Sequence, residues 1–310
     1  MVQENSLNST NGKIVVICGA TCSGKSSLAI SLAQMLNTEI ISADSLAIYK
    51  KLDIGTAKPT LKERETVKHH LIDCVSPFDN FSVSDYETAA LPIINDLLSK
   101  GKTPIICGGT GFYINSVLYK KSYGNAPKND EIREKYKKIL QEKGIDYLYS
   151  ILQSVDKKSS EEIHPNNVVR VIRALEIYET TGTKKSDIID KDIPRYNFIS
   201  FMPVWKREVL YKRINDRVDK MMEDGLIDEV RGLIEDGITI ENQCMQGIGY
   251  KEVYEGLKNG DLSTVGDQIK LNTRHYAKRQ ETFFKRMQNL ISLDMPCGIN
   301  YDEILSKIKE

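Results

Sequence analysis

The chain has 310 residues, in which 43 Lys plus Arg balance 43 Asp plus Glu, and 40% of the residues are hydrophobic. That composition excludes intrinsic disorder and is enough chain for one large domain or a domain carrying an insertion. No apolar run approaches the ~20 residues of a membrane span, and a net charge of zero gives no global argument for nucleic acid.

Residues 1–12, MVQENSLNSTNG, are polar and lack the apolar core of a secretion signal; they read as a short mobile tail on a cytoplasmic protein. KIVVIC (13–18) is a branched apolar run that enters a Gly-rich turn, and SSLAISLAQML follows with apolar residues at helical spacing. The pattern predicts strand, loop, helix. EIISAD (39–44) is a second predicted strand, ending on Asp44, and TPIICGG (103–109) is a third, ending in a glycine turn before Thr110. Strands alternating with helices imply a parallel sheet covered on both faces, with ligands gathering at the carboxyl ends of the strands.

From about Lys120 the segments EIREKYKKILQEKG, YLYSILQSV and VVRVIRALEIYETTG are charged and helix-patterned, with turns at Gly144 and His164-Pro165 and a stop at Gly182. They read as a helical insertion over 120–192, interrupting a core made of 13–119 and 193–310. NFISFMPV (197–204) returns to the sheet, and the rest of the chain reads as mostly helical. The expected fold class is α/β: a P-loop NTPase-like parallel sheet flanked by helices, with a helical insertion domain.

The six cysteines are scattered singly, with no C-x-x-C pair, and read as reduced thiols; the four histidines show no zinc spacing. The residue pattern with chemistry is Gly19-Ala20-Thr21-Cys22-Ser23-Gly24-Lys25-Ser26, which fits G-x-x-x-x-G-K-S. Its glycines let backbone N–H groups converge on phosphate oxygens at a helix N-terminus, Lys25 adds a full charge, and the Ser26 hydroxyl can reach a bound Mg²⁺. The motif specifies phosphate and metal, not a reaction. Phosphoryl-transfer sites pair such a loop with a second apolar strand ending in Asp. TPIICGG ends in glycine instead, and Asp73 in HLIDC is a weak metal candidate on a poor, short strand. A small-molecule P-loop kinase is therefore a rival reading that lacks its usual acidic strand.

SADSLAIYKKLDIGTAKPT (42–60), HHLIDCVSPFDNFSVSDYETAA, GGTGFY, VIRALEIYETTG, QGIGYKE and AKRQETFF occur in this order. Together they resemble the bacterial-type tRNA dimethylallyltransferases, or tRNA isopentenyltransferases, over Lys13 to Arg286. The resemblance implies transfer of a dimethylallyl group from dimethylallyl diphosphate to N6 of the adenine 3′-adjacent to the anticodon, with diphosphate as the leaving group. Lys25 and Mg²⁺ on Ser26 would then stabilise charge on that leaving group. Asp44 matches the family's general base, although D-S before LAIY also fits a helix cap. Thr110 matches the position that contacts the adenine or the diphosphate, and Arg217 in RINDRV matches an arginine that reaches the diphosphate; by itself Arg217 reads as a solvated helix charge.

The resemblance also implies tRNA contacts from Asp44, Ser45, Leu46 and Ala47; from Val169, Arg170, Val171, Ile172 and Arg173; from Gln246, Gly247, Ile248, Gly249, Tyr250 and Lys251; from Lys278, Arg279, Gln280 and Lys285; and from Arg133. The family commonly has Gln where this chain has Val169, which removes one hydrogen-bonding side chain. In KRQETFFKR the phenylalanines are expected inward and the cations outward toward phosphates. The implied partners are the tRNA anticodon stem-loop and dimethylallyl diphosphate, acting on a monomeric, bacterial-type minimal enzyme. A transferase acting on free adenine nucleotides would share the phosphate loop and the Asp44 segment, but the helical insertion and the basic C-terminal segment favour a macromolecular substrate. A non-catalytic RNA-binding module would not require Lys25 and Ser26 in such a loop.

Overall fold

The computed structural model describes residues 12–120, 126–188 and 192–310, so the tail expected at the N-terminus lies, apart from Gly12, outside the described residues. The chain forms two compact units, Met1–Tyr119 with Pro194–Glu310, and Lys120–Ile193. The first unit begins with β1 (Lys13–Cys18), α1 (Lys25–Met35), β2 (Ile40–Ser42), α2 (Leu61–Thr66), β3 (His69–His70) and α3 (Val83–Ser99). It continues through β4 (Ile105–Gly108) and α4 (Gly111–Leu118) to the short β5 (Tyr119–Lys120). The second unit contributes α5 (Asp130–Val155), α6 (Lys157–Glu162) and α7 (Val168–Thr181). After β6 (Ile193–Pro194) come β7 (Asn197–Val204), α8 (Arg207–Glu223), α9 (Leu226–Glu235), α10 (Tyr250–Asn259), α11 (Val265–Phe284), β8 (Leu290–Asp294) and α12 (Tyr301–Lys309).

A strand that reads apolar without alternation must be buried on both faces, which places it inside a parallel sheet. KIVVIC does this: Ile14 to Cys18 are fully buried, and β1 lies inside a six-stranded sheet of order β3-β2-β4-β1-β7-β8 whose pairings are all parallel. Val16 stands opposite Ile106 of β4 and Ser200 of β7. Because side chains alternate across a strand, Ile14, Val16 and Cys18 pack on one face with α3, α4, α9 and α10, while Val15 and Ile17 pack on the other with α1 and α12. Burying each such side chain contributes about 1.5–3 kcal/mol, so the sheet's position is set mainly by these two apolar layers.

The strand β8 departs from the helical character expected of the C-terminal part. LISLD is an edge strand, paired on one side only, with Phe201 opposite Ile291; its exposed Ser292 and Asp294 dilute the apolar signal that marks an interior strand. In the second unit, Tyr136, Leu148, Leu152, Val171, Ile172 and Leu175 form a separate core. Gly144, at φ 80°, interrupts α5, and Gly182, at φ 70°, caps α7.

The parallel sheet gathers four chain segments at its carboxyl edge: the loop after β1, Asp44 after β2, Gly109-Thr110 after β4, and Trp205 after β7. The ends of β2 and β4 approach so closely that a Cβ on Gly108 would collide with the Ala43 carbonyl oxygen, which only glycine avoids.

Candidate active site

The loop from Gly19 to Gly24 turns sharply from β1 into α1, with Gly19 at φ 129°, Cys22 at 62° and Gly24, the N-cap of α1, at 97°. No acidic residue occupies the first turn of α1, so the positive end of the helix dipole faces the cavity unopposed. Lys25 Nζ donates to the Ala20 carbonyl at 2.5 Å, and burial pulls its pKa below the ordinary lysine value. Ser26 is exposed to the same cavity.

The outer side of the loop is held from α8 and the residues before it. Trp205 Nε1 donates to the Ser23 carbonyl at 2.9 Å, and Arg213 Nε, with its guanidinium over the Trp205 ring, donates to the Cys22 carbonyl at 2.8 Å. One turn further along the helix, Arg217 Nη1 donates to Thr21 Oγ1 at 3.3 Å and Nη2 to the Thr56 carbonyl at 3.1 Å. Among the described residues Lys25, Arg213 and Arg217 have no carboxylate partner. Three such cations converging on one loop make a site for a polyanion.

Lys25, Ser26, Arg213 and Arg217 line a cavity of about 500 Å³ together with Asp44, Lys58, Tyr276 and Gln280. A second hollow of about 430 Å³ shares Thr21, Cys22, Asp44, Thr56, Arg217 and Tyr276 with it, and is walled by Leu46, Ile214, Val218, Met221, Ile248 and Ile269. A charged chamber therefore opens onto an apolar one, and Asp44 stands on both walls. Asp44 Oδ1 accepts the N–H groups of Leu46 (2.9 Å) and Ala47 (3.1 Å), while Oδ2 accepts no hydrogen bond from the described residues. The other carboxylate on these walls, Asp216, is paired with Lys212 at 2.6 Å. Tyr276 is pushed up to about 12 by burial and then by Asp44, so it remains a neutral phenol.

The donors near Ser26 suit a hard cation. The Ser26 hydroxyl is an oxygen donor lining the cavity, and Mg²⁺ normally takes only one or two protein oxygens, filling the rest of its shell with water and substrate phosphate. Burial pushes the Cys107 thiol, on the same wall, up to about 11, so it offers no thiolate to a softer metal.

Residues 47–287 match the family described as IPPT, IPP transferase. The chain belongs to the IPP transferase family. It is 45% identical over 302 residues to a tRNA dimethylallyltransferase of Acetivibrio thermocellus, covering 96% of each chain. It is 44% identical over 300 residues to one of Bacillus cereus strain G9842, covering 96% of this chain and 94% of that one. Among solved structures it resembles the full-length tRNA isopentenylpyrophosphate transferase of Bacillus halodurans, with a TM-score of 0.69 at 39% identity, over 96% of this chain and 94% of that one. A eukaryotic dimethylallyltransferase captured acting on tRNA gives a TM-score of 0.81 at 32% identity, over 96% of this chain and 78% of that one.

Within this IPP transferase fold, Asp44, Arg217 and the phosphate loop meet at one cavity. Thr110 is not among the residues lining either cavity; its neighbour Gly109 lines the first, and the Thr110 hydroxyl is engaged by Ser45, accepting from Ser45 N at 3.1 Å. Both oxygens of Asp73 are already engaged, by Lys58 (2.5 Å) and Arg64 (2.6 Å), which overcome burial and hold its pKa below the ordinary value.

Several residues expected at the RNA turn inward. Val171 and Ile172 belong to the apolar core of the second unit, because α7 buries that face; Val169 and Arg170 are the exposed members of their segment. Arg133 and Arg173 are both hydrogen-bonded to the fully buried Glu176, at 2.8 and 2.7 Å. Tyr250 is fully buried, and its hydroxyl donates to Glu229, a carboxylate that also receives the N–H groups of Asp53, Ile54 and Gly55. Gln246 and Lys251 are exposed, as are Lys278, Arg279 and Lys285 on α11, where Phe284 is buried and Phe283 packs against Gly111.

Arg213, Lys58 and Tyr276 also line the cavity, and sequence reasoning does not single them out. For Arg213 a signal exists: it lies four residues before Arg217, so the two share a helix face.

Proposed function

We propose that this chain transfers a dimethylallyl group from dimethylallyl diphosphate to N6 of the adenine 3′-adjacent to the anticodon of tRNA, releasing diphosphate. The observation that carries the reading is Asp44, a carboxylate without a cationic partner among the described residues, standing where the polyanion chamber meets the apolar one. A kinase would also find use for a carboxylate beside its acceptor; the apolar chamber next to the phosphate loop suits the five-carbon chain of an allylic diphosphate, and the tRNA dimethylallyltransferases to which the chain is similar favour prenyl transfer.

The diphosphate is received by the N–H groups at the start of α1, by Lys25 and by Arg217, with Arg213 holding the loop from outside. The Ser26 hydroxyl is the place for Mg²⁺, which when bound would neutralise charge on the leaving diphosphate. The allylic C–O bond breaks and its electron pair leaves on the diphosphate oxygen, where Lys25 and Arg217 meet the growing charge. The N6 lone pair forms the new C–N bond. The proton lost from N6 passes to Oδ2 of Asp44, whose Oδ1 is fixed by the Leu46 and Ala47 amides.

The exposed cations of α11 and the exposed Arg170 of the second unit supply charge for the tRNA backbone, and the target base enters extruded from its stack. In this reading the chain works as a monomer in the cytoplasm. Every residue lining the two chambers belongs to the first unit, and no described helix is long and apolar enough to cross a membrane.

The test offers labelled dimethylallyl diphosphate and Mg²⁺ with unmodified tRNA, AMP and ATP in parallel. Label should enter tRNA alone. Label in AMP or ATP, with tRNA refused, would overturn the macromolecular substrate.

A further inference from the structure

The carboxamide of Gln280 is buried and used at both ends. Its Oε1 accepts the Thr21 N–H at 2.8 Å, and its Nε2 donates to the Gly109 carbonyl at 3.0 Å. Thr21 belongs to the phosphate loop, and Gly109 is the residue before Thr110, in the turn between β4 and α4. Gly109 lines the charged chamber together with the loop, so the Gln280 amide ties two separate segments of that chamber's wall to each other. The fit is tight: a Cβ on Gly109 would collide with Gln280 Nε2 and meets nothing else closer than 3.4 Å.

We infer that Gln280 is a positioning residue for group transfer, a strut that fixes the distance between the diphosphate loop and the turn carrying Thr110. The inference rests on the transferase reading above. It assigns Gln280 an internal task instead of an amide edge offered to RNA, since both polar ends are already engaged. It also takes the Thr21 N–H out of the set of donors available to the diphosphate; the loop must bind phosphate through its other amides, Lys25 and Arg217.

A displaced strut changes how the allylic carbon is presented to N6, not how tightly either substrate is held. A misplacement of about 1 Å in such a geometry costs about 10²-fold in rate. Gln280→Ala should therefore lower kcat by about 10- to 100-fold while KM for dimethylallyl diphosphate and for tRNA each change less than about threefold. Gly109→Ala attacks the same strut from its other end, pushing the amide off its partner, and should reproduce that split. The double variant should be no slower than either single one, because a strut can be lost only once.

The experiment measures steady-state transfer into unmodified tRNA for the wild type, the two single variants and the double variant, with a thermal melt of each. A folded Gln280→Ala enzyme with kcat within about threefold of wild type, or a rise in KM with kcat preserved, overturns the strut. Multiplying losses in the double variant overturn it as well. If Gln280→Ala fails to fold, Gly109→Ala alone decides by the same criteria. A wild type that transfers nothing to tRNA fails the transferase reading itself and takes this inference with it, an outcome distinct from an active wild type with insensitive variants.

Discussion

Lys25 Nζ reaches back 2.5 Å to the carbonyl oxygen of Ala20, so the full charge of the phosphate loop rests on the loop's own backbone. A buried ammonium with a single carbonyl partner is poorly compensated, which is why burial depresses its pKa. An incoming diphosphate relieves that cost.

Lys25→Ala should reduce kcat/KM for dimethylallyl diphosphate by about 10²- to 10³-fold, as removal of a charge-stabilising donor does elsewhere. Affinity for tRNA should stay within about threefold, because no exposed cation of α11 depends on Lys25. Titrating labelled tRNA and a non-reactive diphosphate analogue against the variant separates the two. Equal loss of both affinities would refute the assignment of Lys25 to the leaving group alone.

Asp44→Asn isolates proton transfer because of where the hydrogen bonds fall. The asparagine oxygen can still accept from Leu46 N and Ala47 N, so the turn keeps its cap, while the second oxygen becomes an amide that cannot take a proton. Single-turnover rates at saturating substrates should fall by about 10²-fold or more. Near-normal rates would leave Asp44 as a cap only.

These two residues show how much of the site is legible in the sequence. The strand, loop and helix around Lys25 are local: an apolar run, positive-φ glycines and a helix start all lie within about two turns of chain, so sequence carries them. Asp44 can be placed at the carboxyl edge because parallel sheets put ligands there. That Tyr250, Ile172 and Gln280 are turned inward is not legible in the sequence, for the opposite reason. Each is turned inward by partners distant in the chain, Tyr250 by Glu229, Gln280 by Thr21 and Gly109, and Ile172 by α5, and no local spacing reports such partners. The strand β8 escapes notice because an edge strand of five residues needs only one apolar neighbour, β7.

At the far, amino end of the sheet, Glu39 ties β3 to the segment before β4. Its carboxylate meets His70 Nε2 at 2.6 Å, Lys102 at 3.2 Å and Lys68 at 3.3 Å. Burial opposes its ionisation, but hydrogen bonds from His70, Lys102 and Lys68 outweigh burial and bring the carboxyl from 4.5 down to about 2. A carboxylate whose folded pKa lies below its unfolded one stabilises the fold above the unfolded value and loses that contribution as pH falls through the folded one. The wild type should therefore lose about 1–3 kcal/mol from this group between about pH 5 and pH 2, and Glu39→Gln should be less stable by that amount near neutrality. Denaturant melts of both proteins across this range check it. Parallel curves for the two proteins would mean that Glu39 contributes nothing to the acid transition.

The last prediction concerns the exposed face of α11. Lys278, Arg279 and Lys285 are exposed and form no ion pair among the described residues, although Arg279 lies over the Tyr276 ring at 5.7 Å. Charges left unpaired on a helix whose opposite face is buried by Phe284 and Ala277 are available to phosphates. Each phosphate contact releases about one counterion, so changing all three to Ala should lower the slope of log affinity for tRNA against log salt by roughly two to three. Diphosphate affinity should be spared, and a melting curve should show the helix intact. A packing defect would instead weaken tRNA binding at every salt concentration with little change of slope. In the second unit Arg170 is the exposed cation of its segment, since Arg133 and Arg173 are engaged with Glu176, and it is the alternative to test. An unchanged slope in a folded triple variant, with a reduced slope in Arg170→Ala, would move the phosphate contacts from α11 to α7.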